Sequence, residues 1–187
     1  SRFLVPFLSR HCGYSIFMDC DMLVRADIAE IFDYANTSDF SINAERKAIY
    51  CVHHTYNPPN GTKMDNQKQE RYSRKNWSSF VLWDCSHPQH QMLTLDDVNT
   101  KTGWWLHNFQ WLKDEQIGML PQEWNWLDGH SPDDMEAKNV HFTTGGPWFK
   151  DWRPRGEIEG KYAVEWCNDA DWLKMKGIIE FDRDYMV

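Results

Sequence analysis

No stretch of this sequence approaches the roughly 20 consecutive apolar residues that a membrane-spanning helix needs, and no basic-then-apolar leader opens it. An excess of positive charge is lacking too. Asp plus Glu outnumber Lys plus Arg by 28 to 20, which removes any general electrostatic attraction to nucleic acid or to an anionic membrane surface. A phosphate group bound by such a chain needs a local device, and a metal ion is the simplest one. Closely paired cysteines are missing as well. The five cysteines, Cys12, Cys20, Cys51, Cys85 and Cys167, are odd in number and widely spaced, so no short-spaced zinc site is built from them. They fit buried apolar thiols in a reduced, cytoplasmic setting. Internal repeats and low-complexity stretches are absent.

What remains is a chain of 187 residues with 41% hydrophobic and 26% charged residues, long enough for one globular domain over residues 1–187 with a substantial core. Tryptophan is abundant: eleven are present, many beside polar groups, as in Trp77-Ser78, Trp104-Trp105, Trp124-Asn125-Trp126 and Pro147-Trp148. A large flat ring with a polar edge packs well in a core and also against the apolar face of a sugar. For any single tryptophan packing is the plainer reading; the set as a whole keeps carbohydrate in view.

Phe3, Leu4, Phe7 and Leu8 recur at helical spacing, and Gly13 closes that segment before the apolar run Tyr14 to Met18, which reads as a buried strand. After Asp19-Cys20-Asp21, a helix capped by Asp27 is expected to bury Ile28, Ile31 and Phe32. Further strands are expected at Phe40 to Asn43, Ala48 to His53, Ser79 to Trp83 and Val140 to Phe142, with a polar loop at Pro58-Pro59-Asn60-Gly61. Helices are expected near Gly103 to Leu112 and Val164 to Met175. The fold class is α/β with a mixed sheet flanked by helices, and ligands of such sheets gather at the carboxyl ends of strands.

An aspartate pair one residue apart is a weak signal in so acidic a chain, which has three: Asp19/Asp21, Asp169/Asp171 and Asp182/Asp184. Context separates the first. Two carboxylates at the mouth of a strand present hard oxygen ligands of the kind Mg²⁺ or Mn²⁺ requires, whereas the other pairs fall in a polar helix and a charged tail. A second constellation is the stretch from Val140 to Trp148, in which a strand delivers His141 and the pair Gly145-Gly146 then lets backbone approach a ligand. Peptide N–H groups in such a turn cradle phosphate. A lone histidine after a strand is usually structural, and it is the coupling to the glycine turn and the aspartates that raises His141.

The segments Arg2 to Pro6, Ile16 to Val24 and His141 to Trp148 together resemble glycosyltransferase family 8 and its bacterial and phage relatives. The resemblance implies a GT-A fold, a retaining reaction, a UDP-sugar donor, and Mn²⁺ held by Asp19, Asp21 and His141. It also implies donor contacts from Arg2, from Ser78 and Ser79 (where the family's Asn-Ala-Gly stands as Trp77-Ser78-Ser79), and from Gly145, Gly146 and Trp148. His107, Gln110 and the Asp114-Glu115 pair are the candidates for the family's acidic grip on the donor sugar. A glycan or other hydroxyl acceptor is expected from the side of His53, His54, Trp124 and Trp126. Only 18 residues precede Asp19, fewer than the family's nucleotide-gripping βαβ unit, so an N-terminally truncated GT-A domain is expected.

Two other readings stay open at this point. A haloacid-dehalogenase-like phosphatase also ends an apolar strand in Asp-x-Asp, with Asp133-Asp134 as its later acidic pair, although Met22-Leu23 replace its glycine-threonine. A non-catalytic carbohydrate-binding module would use the tryptophans for recognition and the acidic pair for structural Ca²⁺.

Overall fold

The computed structural model describes residues 1–37, 46–55, 61–62, 68–69, 73–149 and 160–180. The expected strand at 40–43, most of the loop at 58–61 and the Asp182/Asp184 pair lie outside these residues.

In chain order the helices are α1 (Val5–Leu8), α2 (Glu30–Thr37), α3 (Leu95–Thr100), α4 (Gly103–His107) and α5 (Ala163–Met175). The strands are β1 (Tyr14–Met18), β2 (Met22–Val24), β3 (Ile49–Val52), β4 (Gly61–Thr62), β5 (Lys68–Gln69), β6 (Phe80–Asp84), β7 (Ile117–Leu120), β8 (Trp126–Leu127) and β9 (Asn139–His141). A four-stranded sheet runs β1-β6-β3-β7, antiparallel except for the parallel pair β3 and β7. A three-stranded sheet runs β2-β9-β8, with β2 and β9 antiparallel and β8 and β9 parallel. Strands β4 and β5 pair separately.

Both faces of the larger sheet are covered, and the strand period of two sorts its residues between them. Ile49, Cys51, Val81 and Trp83 face one core with Phe3, Phe109 and Trp111. Tyr50, Val52, Phe80 and Leu82 face the other with Ile31, Leu120 and Trp124. A third core, of Leu23, Trp126, Val140, Phe142 and Tyr162, lies against the small sheet. Burial on both faces is why β3 and β6 read as continuous apolar runs.

Three expectations are corrected here. Strand β1 is half-buried along most of its length, with Tyr14 exposed, because it is an edge strand paired on one side by β6. The helix expected over 103–112 stops at His107, where Asn108 caps it and Phe109 takes a positive φ of 52°. The opening segment holds Phe3 in the core but leaves Phe7 and Leu8 exposed. The Asp27 expectation is met in part: its carboxylate accepts the Ala29 N–H at 2.9 Å, but α2 begins only at Glu30, and Ile31 is fully buried while Ile28 and Phe32 are partly so.

Helix α5 is tied to the small sheet by Arg25, which follows β2. Its guanidinium donates to both Glu165 carboxylate oxygens at 2.9 and 2.8 Å, to Glu136 and to the Ala137 carbonyl, and lies over the Tyr162 ring. All five cysteines are free thiols, Cys51 and Cys85 buried, Cys12 and Cys20 exposed. Among the described residues, no helix is long and apolar enough to cross a membrane.

A candidate metal centre where two sheets meet

The bend at Asp19-Cys20-Asp21 carries the chain from β1 in the large sheet to β2 in the small one. Backbone bonds pin both ends: the Asp19 N–H donates to the Ser79 carbonyl at 2.9 Å, and the Phe142 N–H donates to the Asp21 carbonyl at 3.0 Å. His141 enters from β9, whose register sets it opposite Met22. One ligand atom from each of Asp19, Asp21 and His141 lies within 4.8 Å of the others. His141 Nε2 is 3.5 Å from Asp21 Oδ2.

This donor set fits a divalent cation. Two carboxylates and one imidazole within ligand-sharing distance are the oxygen and nitrogen donors that such an ion accepts. Arg2 already contacts both Asp19 oxygens, at 3.1 and 2.6 Å. An ionised carboxylate has about four lone-pair sites on its two oxygens, so these contacts leave room for a cation on the opposite side. Burial pushes the Asp19 carboxyl above the ordinary aspartate range, with the Arg2 and His141 charges pulling the other way.

Arg2 also donates to the Ser78 carbonyl at 2.8 Å. Ser78 and Ser79 sit in a one-turn 3-10 segment, Trp77–Ser79, entered through Asn76 at φ 64°, a left-handed conformation that asparagine tolerates better than most residues. Both serines are buried, at 2% exposure, and their hydroxyls are engaged inside the protein. The Ser78 hydroxyl pairs with His107 Nδ1 at 2.6 Å, and the Ser79 hydroxyl donates to the Asn76 carbonyl at 2.6 Å. Both expected donor-binding hydroxyls are thus turned into the protein, and it is the backbone carbonyls of the two serines that hold the Arg2 guanidinium and the Asp19 N–H. Burial, and then the Arg2 charge, push His107 down to about 4, so its ring is neutral near pH 7.

The glycine turn is bonded within itself. The Thr143 N–H donates to the His141 carbonyl at 2.9 Å and the Gly145 N–H to the Phe142 carbonyl at 3.0 Å. Gly145 has φ 117°, which demands glycine. At Gly146 the requirement is space: a Cβ there would lie no farther than 2.8 Å from three carbons of the Trp148 ring. That ring packs edge-on to Phe142 at 5.6 Å and against Trp166 of α5 at 5.4 Å.

Of the four residues expected on the acceptor side, His54, Trp124 and Trp126 are buried and His53 is half-buried. Trp124 and Trp126 are 0% and 1% exposed. Trp124 stacks parallel to Phe80, and the Trp126 indole N–H donates to the Pro132 carbonyl at 3.0 Å. Neither presents a face to a ligand. His54 is buried, and burial with the His141 and His53 charges lowers it to about 4. His53 is half-buried and stacks on Trp77 at 3.9 Å, with the Arg74 guanidinium over the same indole. Of the other candidates, Asp114 pairs with Arg74 and Gln110 is exposed. Asp133 lies apart from the aspartate-histidine cluster and its carbonyl accepts from Lys161.

Asn125 is the site residue that sequence reasoning missed. It is fully buried, donates to the Asn76 carbonyl at 3.1 Å and the Ser79 hydroxyl at 2.9 Å, and sets its Oδ1 3.0 Å from His141 Nδ1. The available signal was a short amide between two large apolar rings, since a polar group enclosed by Trp124 and Trp126 needs partners.

No protein-family model matches the chain. Among curated proteins, Protein CDI of Arabidopsis thaliana is 44% identical over 176 residues, 91% of this chain. The chain spans 63% of the length of that relative. Among solved structures, the galactosyltransferase LgtC in complex with donor and acceptor sugar analogs superposes with TM-score 0.50 at 11% identity, covering 91% of this chain and 65% of that one. An active-site mutant of LgtC gives TM-score 0.50 at 13% identity, covering 92% and 66%. These likenesses establish the fold: a mixed α/β architecture of the GT-A glycosyltransferase type.

Proposed function

We propose that this chain is the metal-binding and acceptor-side portion of a glycosyltransferase of the family 8 type, moving a sugar from a nucleotide-sugar donor, a UDP-sugar, to a glycan or other hydroxyl acceptor with retention. The observation that carries the reading is the convergence of Asp19, Asp21 and His141 on one point between two sheets of a GT-A fold. The LgtC complex, described with donor and acceptor sugar analogs, supports extending sugar transfer to this chain.

In this reading Asp19, Asp21 and His141 hold Mn²⁺, or Mg²⁺ in its place. When bound, such an ion neutralises charge developing on a departing diphosphate. The remaining work belongs to side chains of the chain itself. Arg2 presents its planar guanidinium beside Asp19, where it orients phosphate or sugar hydroxyl oxygens. Ser78 and His107 fix that guanidinium from behind through the Ser78 carbonyl and hydroxyl. Gly145, Gly146 and Trp148 shape the wall next to His141, and the acceptor approaches past His53.

The test is a titration of the chain with UDP, Mn²⁺ and EDTA, followed by an assay of UDP release from a panel of UDP-sugars. The proposal expects UDP affinity that appears with Mn²⁺ and vanishes with EDTA. Glycan binding that ignores the metal, with no UDP affinity, would favour a carbohydrate-binding module instead.

A further inference from the structure

The Asn125 amide has one acceptor atom and one donor group, and its surroundings decide which way round it sits. On one side lie the Asn76 carbonyl and the Ser79 hydroxyl oxygen, at 3.1 and 2.9 Å. Neither has a proton for it, because the Ser79 hydroxyl donates its own to the Asn76 carbonyl at 2.6 Å. The NH₂ group must face these two oxygens. The carbonyl oxygen then faces His141 Nδ1 at 3.0 Å, and that contact is a hydrogen bond only if Nδ1 carries the proton. A neutral imidazole has one N–H, so His141 Nε2 is left with its lone pair, 3.5 Å from Asp21 Oδ2.

We propose that Asn125 is a positioning residue of the metal centre: its buried amide holds the His141 ring with the proton on Nδ1, so that the Nε2 lone pair meets Asp19 and Asp21. The same side chain ties together the two halves of the cluster, which are far apart in sequence. It bonds Ser79, whose carbonyl pins the Asp19 N–H, and it bonds His141 itself. The His141 ring and the Ser79 turn behind Asp19 are thereby fixed to one buried amide before any ion arrives. This rests on the metal reading of the preceding section, and it deepens that reading by assigning a residue that holds a ligand side chain without reaching the ion itself.

The tautomer is measured in the metal-free protein, at mildly alkaline pH, by long-range ¹H–¹⁵N correlation of the histidine rings, with the His141 signal assigned by loss in His141→Gln. The expected pattern is a proton on Nδ1 and a bare Nε2. A proton on Nε2, or on both nitrogens, overturns the proposal without any Asn125 variant. Two substitutions then separate positioning from scaffold. Asn125→Asp keeps an oxygen for Nδ1–H but loses the donors to Asn76 and Ser79, so stability falls while the tautomer and Mn²⁺ affinity are kept. Asn125→Leu loses both, and Mn²⁺ affinity, read by manganese EPR, falls about 10- to 100-fold, the usual cost of removing a partner that orients a metal-bound histidine. Mn²⁺ affinity that follows stability alike in the two variants overturns the assignment. Should Asn125→Leu fail to fold, the wild-type tautomer and Asn125→Asp decide the matter. Absence of UDP-dependent chemistry with this tautomer present would count against the transferase reading and leave the Asn125 assignment standing.

Discussion

Replacing Gly146 by alanine sets a methyl group against the Trp148 indole, no farther than 2.8 Å from three ring carbons. The backbone at this position is not in the left-handed region, so the cost is steric. An indole is rigid, and this one is hemmed in by Phe142, itself fully buried, and by Trp166 of α5. Relief therefore requires swinging the ring away from both neighbours. Overpacking of this kind costs about 1–3 kcal/mol, against which the lost backbone freedom of the unfolded chain returns about 0.4–1. A net loss near 1–2 kcal/mol corresponds to a Tm lower by about 2–8 °C at this chain length. Urea unfolding followed by near-UV circular dichroism reads the loss, and a double-mutant cycle locates it. In a Trp148→Ala background the added methyl has nothing to strike, so Gly146→Ala becomes stabilising there by about 0.4–1 kcal/mol, with a coupling of about 1–3 kcal/mol. Additive effects of the two substitutions would refute the packing argument. Unchanged stability with UDP binding lost would move the glycine's purpose to direct approach of a ligand.

Three further outcomes follow from the structure. His90 is fully buried and lowered by desolvation to about 4, below its unfolded value near 6.5, so the unfolded chain takes up the proton first; its contribution to stability is complete above pH 6.5 and lost as pH falls toward 4. The His90 share is on the order of 2–3 kcal/mol, and His90→Phe should flatten the acid limb of urea midpoints, since the Ala48 carbonyl keeps its bond from the Asp84 N–H. Arg25→Met removes the bonds to Glu165, Glu136 and the Ala137 carbonyl, and hydrogen exchange should rise across α5 well before it rises in β3 or β6; equal protection in both regions would refute the tethering role. Asp21→Ala and His141→Ala should each weaken Mn²⁺ binding at least tenfold while far-UV circular dichroism stays unchanged, and normal binding by either variant removes that residue from the ligand set.

Strands β3, β6 and β9 were legible because each is a short apolar or β-branched run, and burial on both faces of β3 and β6 suppresses alternation. The edge position of β1 was not legible, since Tyr14 to Met18 is as apolar as an interior strand and its exposure depends on which neighbours pair with it. Strands β7 and β8 escaped notice, one interrupted by Gly118 and the other two residues long. At the site, Asp19 and Asp21 stand out only through their strand. Their meeting with His141 depends on pairing of β2 with β9 across more than a hundred residues, which no local pattern encodes. Packing was the plainer reading for Trp124 and Trp126 and both are buried; composition kept the sugar-facing alternative open because it reports that rings are present without reporting which way they face.

Asp19, Asp21 and His141 converge on one point in space, where the metal is proposed to sit. Crystals soaked with Mn²⁺ and UDP, measured at an energy where manganese scatters anomalously, test it most directly. A single strong peak is expected about 2.0–2.3 Å from an oxygen of each aspartate and from His141 Nε2, with diphosphate oxygens completing the shell. A manganese peak elsewhere, or none at this cluster under conditions where UDP is bound, would contradict it.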